Sequence, residues 1–225
     1  TRKESSAASD VYKRQTQYTT FEDAGCFTGF SVREEGNNVV VTANYKLGCF
    51  DQAVWTISPD GTAAIDFTYN FSGVVDLMGV MFDYPEDKVL SKRWVGDGPY
   101  RVWQNRLHGP QLGVWENEYN DPIPAESFTY PEFKGYFANV QWMTLETQEG
   151  MISICNRTPQ NYVGVYQPRD GRDGLLYTFP VTGISLMKVI PPVRNKVNTT
   201  DLIGPSSQAF WADGEYGGGI TLKFE

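Results

Sequence analysis
The sequence is short of the residues that carry most enzymatic and metal chemistry. His108 is the only histidine among 225 residues. A serine nucleophile needs a base beside it, and no Gly-x-Ser-x-Gly elbow occurs. Three cysteines, Cys26, Cys49 and Cys155, are too few and too scattered for a disulfide framework, although one bridge stays open. No Cys-x-x-Cys pair offers a zinc site. Lys and Arg number 19 against 27 Asp and Glu, a net charge of −8, and no basic patch is visible. Nucleic acid is therefore not expected as a partner. No run of about 18 apolar residues exists, so no segment reads as a transmembrane helix and no membrane partner is expected. Gly96-Asp-Gly-Pro-Tyr-Arg101 lacks the third glycine of a dinucleotide loop and no helix follows it. Pro168-Arg-Asp-Gly-Arg-Asp-Gly174 has two Asp-Gly steps but no EF-hand spacing, and reads as a turn. Neither a cofactor nor a metal is expected in this chain.

Helix is also scarce. Thirteen prolines, spread from Pro59 to Pro205, leave almost no room for a helix longer than about ten residues. Aromatics are plentiful at 14%, and most sit in short alternating runs that favour sheet. Strands are predicted at 39–45, 53–57, 64–69, 75–82, 88–94, 137–146, 151–156, 162–167, 184–189 and 220–224. Ser58-Pro-Asp-Gly61 closes a hairpin between the second and third of these. Tyr84-Pro-Glu-Asp87 and Thr147-Gln-Glu-Gly150 mark two further turns. Many short strands at even spacing give an all-β class and a large antiparallel sandwich. Residues 16–225 read as one domain, since no repeat or linker interrupts them. Residues 1–15 show no periodicity, resemble a translated sequencing-adapter tail and are expected to add nothing to the fold. The expectation that follows is a chain cut from a longer enzyme. Sequons at Asn70, Asn156 and Asn198 are read as incidental.

The densest stretch is Trp94-Val-Gly-Asp-Gly-Pro-Tyr-Arg-Val-Trp-Gln-Asn-Arg106, with two tryptophans, two glycines, a proline and two arginines. Glycine and proline force an irregular path. One reading is a shaped loop in which Trp103, Asn105 and Arg106 stack on a sugar and bind its hydroxyls. The other is a buried corner between sheets, with Trp94 and Trp103 as core and Arg106 neutralising a carboxylate. Glu116, Glu118, Glu126 and Glu132 lie in turn-rich segments and read as solvated acids rather than a tuned pair.

Trp94-x-Gly-x-Gly-Pro, Asn105-Arg106 and Gly113-Val-Trp-Glu-Asn-Glu-Tyr119 resemble the Trp-x-Gly-x-Gly-Pro…Asp-Arg…Gly-x-Tyr signature of the C-terminal domain of family 2 β-galactosidases. Tyr130-Pro-Glu-Phe-Lys-Gly-Tyr-Phe-Ala-Asn-Val-Gln-Trp142 is similar to that domain's Pro-x-Glu-x-Gly…Val-x-Trp segment. The resemblance runs from about Val39 to Glu225. Asn105 stands where Asp is usual, which leaves the sugar open. The resemblance implies a β-supersandwich of the galactose mutarotase type. It also implies an upstream TIM barrel of the same parent chain carrying the two catalytic glutamates, and a β-glycoside or galactoside as ligand. One histidine does not equip the chain for mutarotase chemistry of its own, and no catalytic residue is assigned to it. In related enzymes a tryptophan before the final strand reaches the active-site mouth. The matching segment is 201–211, with Trp211 as candidate and Gln208 and Phe210 as fallbacks; the competing reading packs Trp211 under the strand 220–224. A stand-alone carbohydrate-binding sandwich is the alternative to a glycosidase domain.

Overall fold
The computed structural model describes residues 27–46, 50–75, 77–82, 84–118, 135–165, 183–192 and 210–225. Among these residues the strands are β1 (Phe27–Glu35), β2 (Asn38–Tyr45), β3 (Phe50–Ile57), β4 (Thr62–Val75), β5 (Met78–Phe82), β6 (Val89–Gly98), β7 (Gln111–Glu118), β8 (Trp142–Thr147), β9 (Gly150–Asn156), β10 (Tyr162–Gly164), β11 (Ile184–Val189) and β12 (Phe210–Phe224). One 3-10 turn, Glu86–Lys88, leads from β5 into β6. Nine strands form a sheet in the order β1-β2-β3-β4-β12-β9-β8-β6-β7, and β10-β11-β5 form a second. Neighbouring strands pair antiparallel, from β1 with β2 to β8 with β9. The all-β antiparallel architecture expected from the sequence is the one found.

Period-2 burial explains how the sheets stack. On β4, Ile65, Phe67 and Tyr69 are buried while Asp66 and Asn70 face outward. Met143 and Leu145 on β8, Ile152 and Ile154 on β9, and Ile220 and Leu222 on β12 continue the same inner face. Against it lie Val80 of β5, Val163 of β10, and Ile184 and Leu186 of β11. The reverse face of the small sheet is covered too: Met187 joins Val102, Trp103, Tyr136, Ala138 and Ile190 in a second cluster. Cover on both faces is why β11 reads as a nearly unbroken apolar run.

Several expectations change at the boundaries. Residues 75–82 are not one strand: Val75 ends β4 in the large sheet, and β5 starts at Met78 in the small one. The turn at 84–87 therefore crosses between sheets and closes no hairpin. β6 continues through both glycines of the Trp94 motif to Gly98. β8 begins at Trp142, because residues 137–141 make only isolated bridges and turns. The last strand spans 210–224, ten residues earlier than predicted. The hairpin at 58–61 stands as expected: the Gly61 N–H donates to the Ser58 carbonyl at 3.1 Å, the Thr62 N–H donates to Asp60 Oδ1 at 3.0 Å, and Gly61 takes φ +83°.

Tyr69 lies in the aromatic centre of the core, stacked on Phe67 at 6.2 Å and on Tyr216 at 5.7 Å. Burial pushes its hydroxyl well above the ordinary value of 10.0, and the neighbouring Tyr216 adds to the shift. A phenol that stays protonated when folded but ionises near pH 10 when unfolded holds more protons in the native state above that pH. Its contribution is thus complete below about pH 10 and lost as pH rises further. Tyr69→Phe is expected to move the alkaline unfolding midpoint upward, read by circular dichroism. An unchanged midpoint would assign the alkaline loss to other groups.

Candidate functional site
The Trp94 motif is built into the core. The Trp94 ring is fully buried, meets Phe137 edge-on at 4.9 Å, and donates from Nε1 to the Asp97 carbonyl at 3.0 Å. Opposite it on β7, Trp115 donates from Nε1 to the carbonyls of Gly96 at 3.2 Å and Gln111 at 3.1 Å. The indole of Trp115 lies so close to Gly98 that a Cβ there would sit 2.5–2.7 Å from its ring atoms. A Cβ on Gly96 would meet backbone atoms of Ala138 and Val140 at 3.0 Å. The two glycines are thus clearance for one indole and one crossing chain. Trp103 is 4% exposed and packs edge-on against Tyr136 at 6.0 Å, which places its ring inside the second cluster with no open face. Asn105 occupies the turn between Trp103 and Arg106, whose backbones bridge each other, and Arg106 is exposed. Three residues grouped by sequence therefore end in three environments, and the buried-corner reading describes Trp94 and Trp103.

β12 presents a different surface. Ala212, Ile220 and Leu222 point into the core, so the odd positions of the strand face out. Trp211, paired with Val74, is 65% exposed, and Phe210 is 39% exposed. Trp211 is the second residue of a strand and not part of a loop, and its exposure is incompatible with packing under residues 220–224. Gln208 lies outside the described residues. Along the outer face Trp211 is followed by Asp213 opposite Ser72, then Glu215 opposite Asn70, then Gly217 opposite Thr68 and Gly219 opposite Asp66. Asn70 Nδ2 donates to Asp51 Oδ2 at 2.6 Å, extending this polar track onto β3.

The track ends in an open groove of about 390 Å³ over Gly217, Gly218 and Gly219. β9 stops pairing with β12 at Asn156, and the following residues fold over the freed edge. Asn156 Oδ1 accepts from the Thr158 N–H at 2.9 Å, the Gly219 N–H donates to Thr158 Oγ1 at 2.9 Å, and Asn161 Nδ2 donates to the Gly217 carbonyl at 3.3 Å. Arg157 reaches across the strand, donating from Nη2 to the Ile65 carbonyl at 3.0 Å and to Asp66 Oδ1 at 2.9 Å. A Cβ on Gly219 would meet that Asp66 oxygen at 2.7 Å and one on Gly217 the Phe67 carbonyl at 2.7 Å, so the pair and its wall require glycine beneath them. Gln52 and Val54 of β3 complete the wall. Apart from Asn156, named only as a sequon, none of these groove residues stands out in the sequence. The run of three glycines inside a strand was the available signal, since such runs mark close approach of another group.

A third surface lies on the outer face of β6–β9, where Val114, Val95, Trp142 and Cys155 stand side by side across four strands. Leu112, next along β7, is 69% exposed. Cys155 is a free, exposed thiol; Cys26 and Cys49 lie outside the described residues.

The family model described as beta galactosidase small chain matches residues 3–184. The chain belongs to the beta galactosidase small chain family. No curated protein matches it. Among solved structures, the GalM/aldose epimerase homologue from C. elegans is similar at 10% identity and a TM-score of 0.36, covering 88% of this chain and 69% of that one. The match to the small-chain family contains the whole Trp94 motif and the β7 block, whereas Trp211 and the three glycines of β12 lie beyond its end. Within this small-chain domain Glu116 and Glu118 are exposed on β7, Glu116 lying 4.0 Å from Arg93, and His108 is exposed as well. Glu126 and Glu132 lie outside the described residues. Among the described residues, no group of three or more His, Cys, Asp or Glu is arranged to hold a metal ion.

Proposed function
We propose that this chain is the C-terminal, small-chain domain of a family 2 glycoside hydrolase of the β-galactosidase type. It completes the active-site mouth beside a TIM barrel of the parent chain and holds a sugar ring of the β-glycoside against Trp211. The observation that carries the reading is the exposed indole of Trp211 on the outer face of β12, in a domain whose family is named for β-galactosidase. A flat apolar ring suits the C–H face of a pyranose, and indole rings are commonly left open where a partner covers them. The apolar row of Leu112, Val114 and Trp142 supports contact with the larger part of such an enzyme, because exposed apolar patches mark interaction surfaces.

Retaining glycosidases need two carboxylates about 5 Å apart, one protonating the leaving group and one attacking the anomeric carbon. The exposed, arginine-paired Glu116 is poorly placed for either task, and the reacting pair is assigned to the barrel. The 225-residue chain alone is expected to bind galactosides without hydrolysing nitrophenyl β-galactoside. Turnover is expected only when it is joined to the barrel. Turnover by the purified chain that disappears in Glu116→Gln or Glu132→Gln would overturn the assignment.

A further inference from the structure
We infer that the groove over Gly217–Gly219 is a second saccharide subsite, collinear with Trp211, that takes a neutral sugar unit of an extended glycan. The inference rests on the reading that this domain meets a galactosidase substrate, and it extends that reading to a site six residues away along β12. At the rise of a strand, six residues span about 20 Å, so Trp211 and the groove would contact different units of one chain.

The groove's chemistry selects the ligand class. Arg157 and Asp66 form an ion pair, which leaves the groove without net charge. Thr68, Thr158 and Gln52 add two hydroxyls and an amide. Thr158 Oγ1 already accepts from the Gly219 N–H and Gln52 Nε2 already donates to Asn44 Oδ1, so the lining mixes donors and acceptors. Sugar hydroxyls both donate and accept, and they match such a mixed lining better than carboxylate or phosphate, which only accept. The chain's net charge of −8 also opposes an anionic ligand at long range. Gly217 carries no side chain on the outer face, whereas the Arg157–Asp66 pair closes over Gly219, so the part of the floor a ring can approach is the Gly217 end of the groove. Val54 supplies an apolar patch on the β3 side. Among the described residues, Asp213, Ser72, Glu215 and Asn70 lie between the two sites and form a polar track.

The test is a titration of the isotopically labelled 225-residue chain with β-1,4-galactotetraose and with galactobiose, followed through the amides of Gly217, Gly218 and Gly219 and separately through the indole N–H of Trp211. The tetrasaccharide is expected to shift both sets. Thr68→Tyr, which fills the groove from β4, is expected to weaken tetrasaccharide binding about tenfold while leaving the Trp211 response to galactobiose in place. Asp66→Asn, which keeps the shape and removes one charge, is a second variant should the first lower the thermal midpoint. Glycine amides that stay unshifted up to about 10 mM, where a site with a Kd of about 1 mM would be filled, overturn the subsite whatever Trp211 does. Movement of Trp211 alone would leave the proposed function standing and remove this inference. Silence at both would remove both.

Discussion
Gly98→Ala is expected to lower the thermal unfolding midpoint by about 6–12 °C. The added methyl would sit 2.5–2.7 Å from three ring atoms of Trp115, well inside van der Waals contact. The ring cannot swing aside cheaply. Its Nε1 is held by the carbonyls of Gly96 and Gln111, and its body packs against the main core beside Trp94. Forcing a methyl into such a place typically costs about 1–3 kcal/mol, and the fixed indole puts this position at the upper end. For a domain of this size each kcal/mol moves the midpoint by about 2–4 °C. Leu112→Ala on the neighbouring strand is the control, since its side chain is largely in water and the change should stay within about 0.5 kcal/mol. Calorimetry of the two variants decides the matter: a Gly98→Ala shift no larger than that of Leu112→Ala would mean that Trp115 rotates freely, and the glycine would then need another explanation.

The same residues show what could be read from the sequence and what could not. Strands with one buried face announced themselves, because Ile65, Phe67 and Tyr69 alternate with polar neighbours and the Ser58–Gly61 turn carries its own residue chemistry. β1 was missed for the opposite reason: Phe27, Phe30 and Val32 are exposed, so its sequence follows no core. The first half of β12 was missed because Asp213, Gly214 and the run Gly217–Gly219 read as breakers. They are tolerated there because β4 pairs with every residue from Phe210 to Lys223, and tertiary pairing overrides local propensity.

The candidate site divides along similar lines. The density of the Trp94 motif singles it out in the sequence, but density alone does not distinguish a ligand loop from a packing corner. Only the placement of Trp115 over Gly98, a contact between residues 17 apart in sequence, reveals the glycines as clearance. The groove was illegible because its walls come from β3, β4 and the chain after β9, and Arg157 meets Asp66 across 91 residues of sequence. Asn156 reads as a sequon, yet it is buried and its side chain donates to the Asn161 carbonyl, so its part is to shape the chain that carries Arg157.

Trp211→Ala, made in the assembled parent galactosidase, is expected to reduce kcat/KM about 5- to 150-fold with little change in unfolding midpoint. The two halves of that expectation have separate causes. With 65% of the residue exposed, little of its surface stabilises the fold, and a substitution at such a site should cost no more than about 0.5 kcal/mol. Covered by a pyranose ring, the same indole would bury apolar area worth about 1–3 kcal/mol, which is the quoted fold-change at about 1.4 kcal/mol per factor of ten. Trp211→Phe keeps a flat ring of smaller area and should recover part of the loss, whereas a purely structural position would show no graded recovery of activity. The division between KM and kcat carries further information. A rise in KM alone would mean that Trp211 holds the ground-state sugar, and an equal fall in kcat and kcat/KM would mean that its contact tightens at the transition state. Lost stability with unchanged kcat/KM would return Trp211 to the fold and leave the active-site mouth without its proposed aromatic wall.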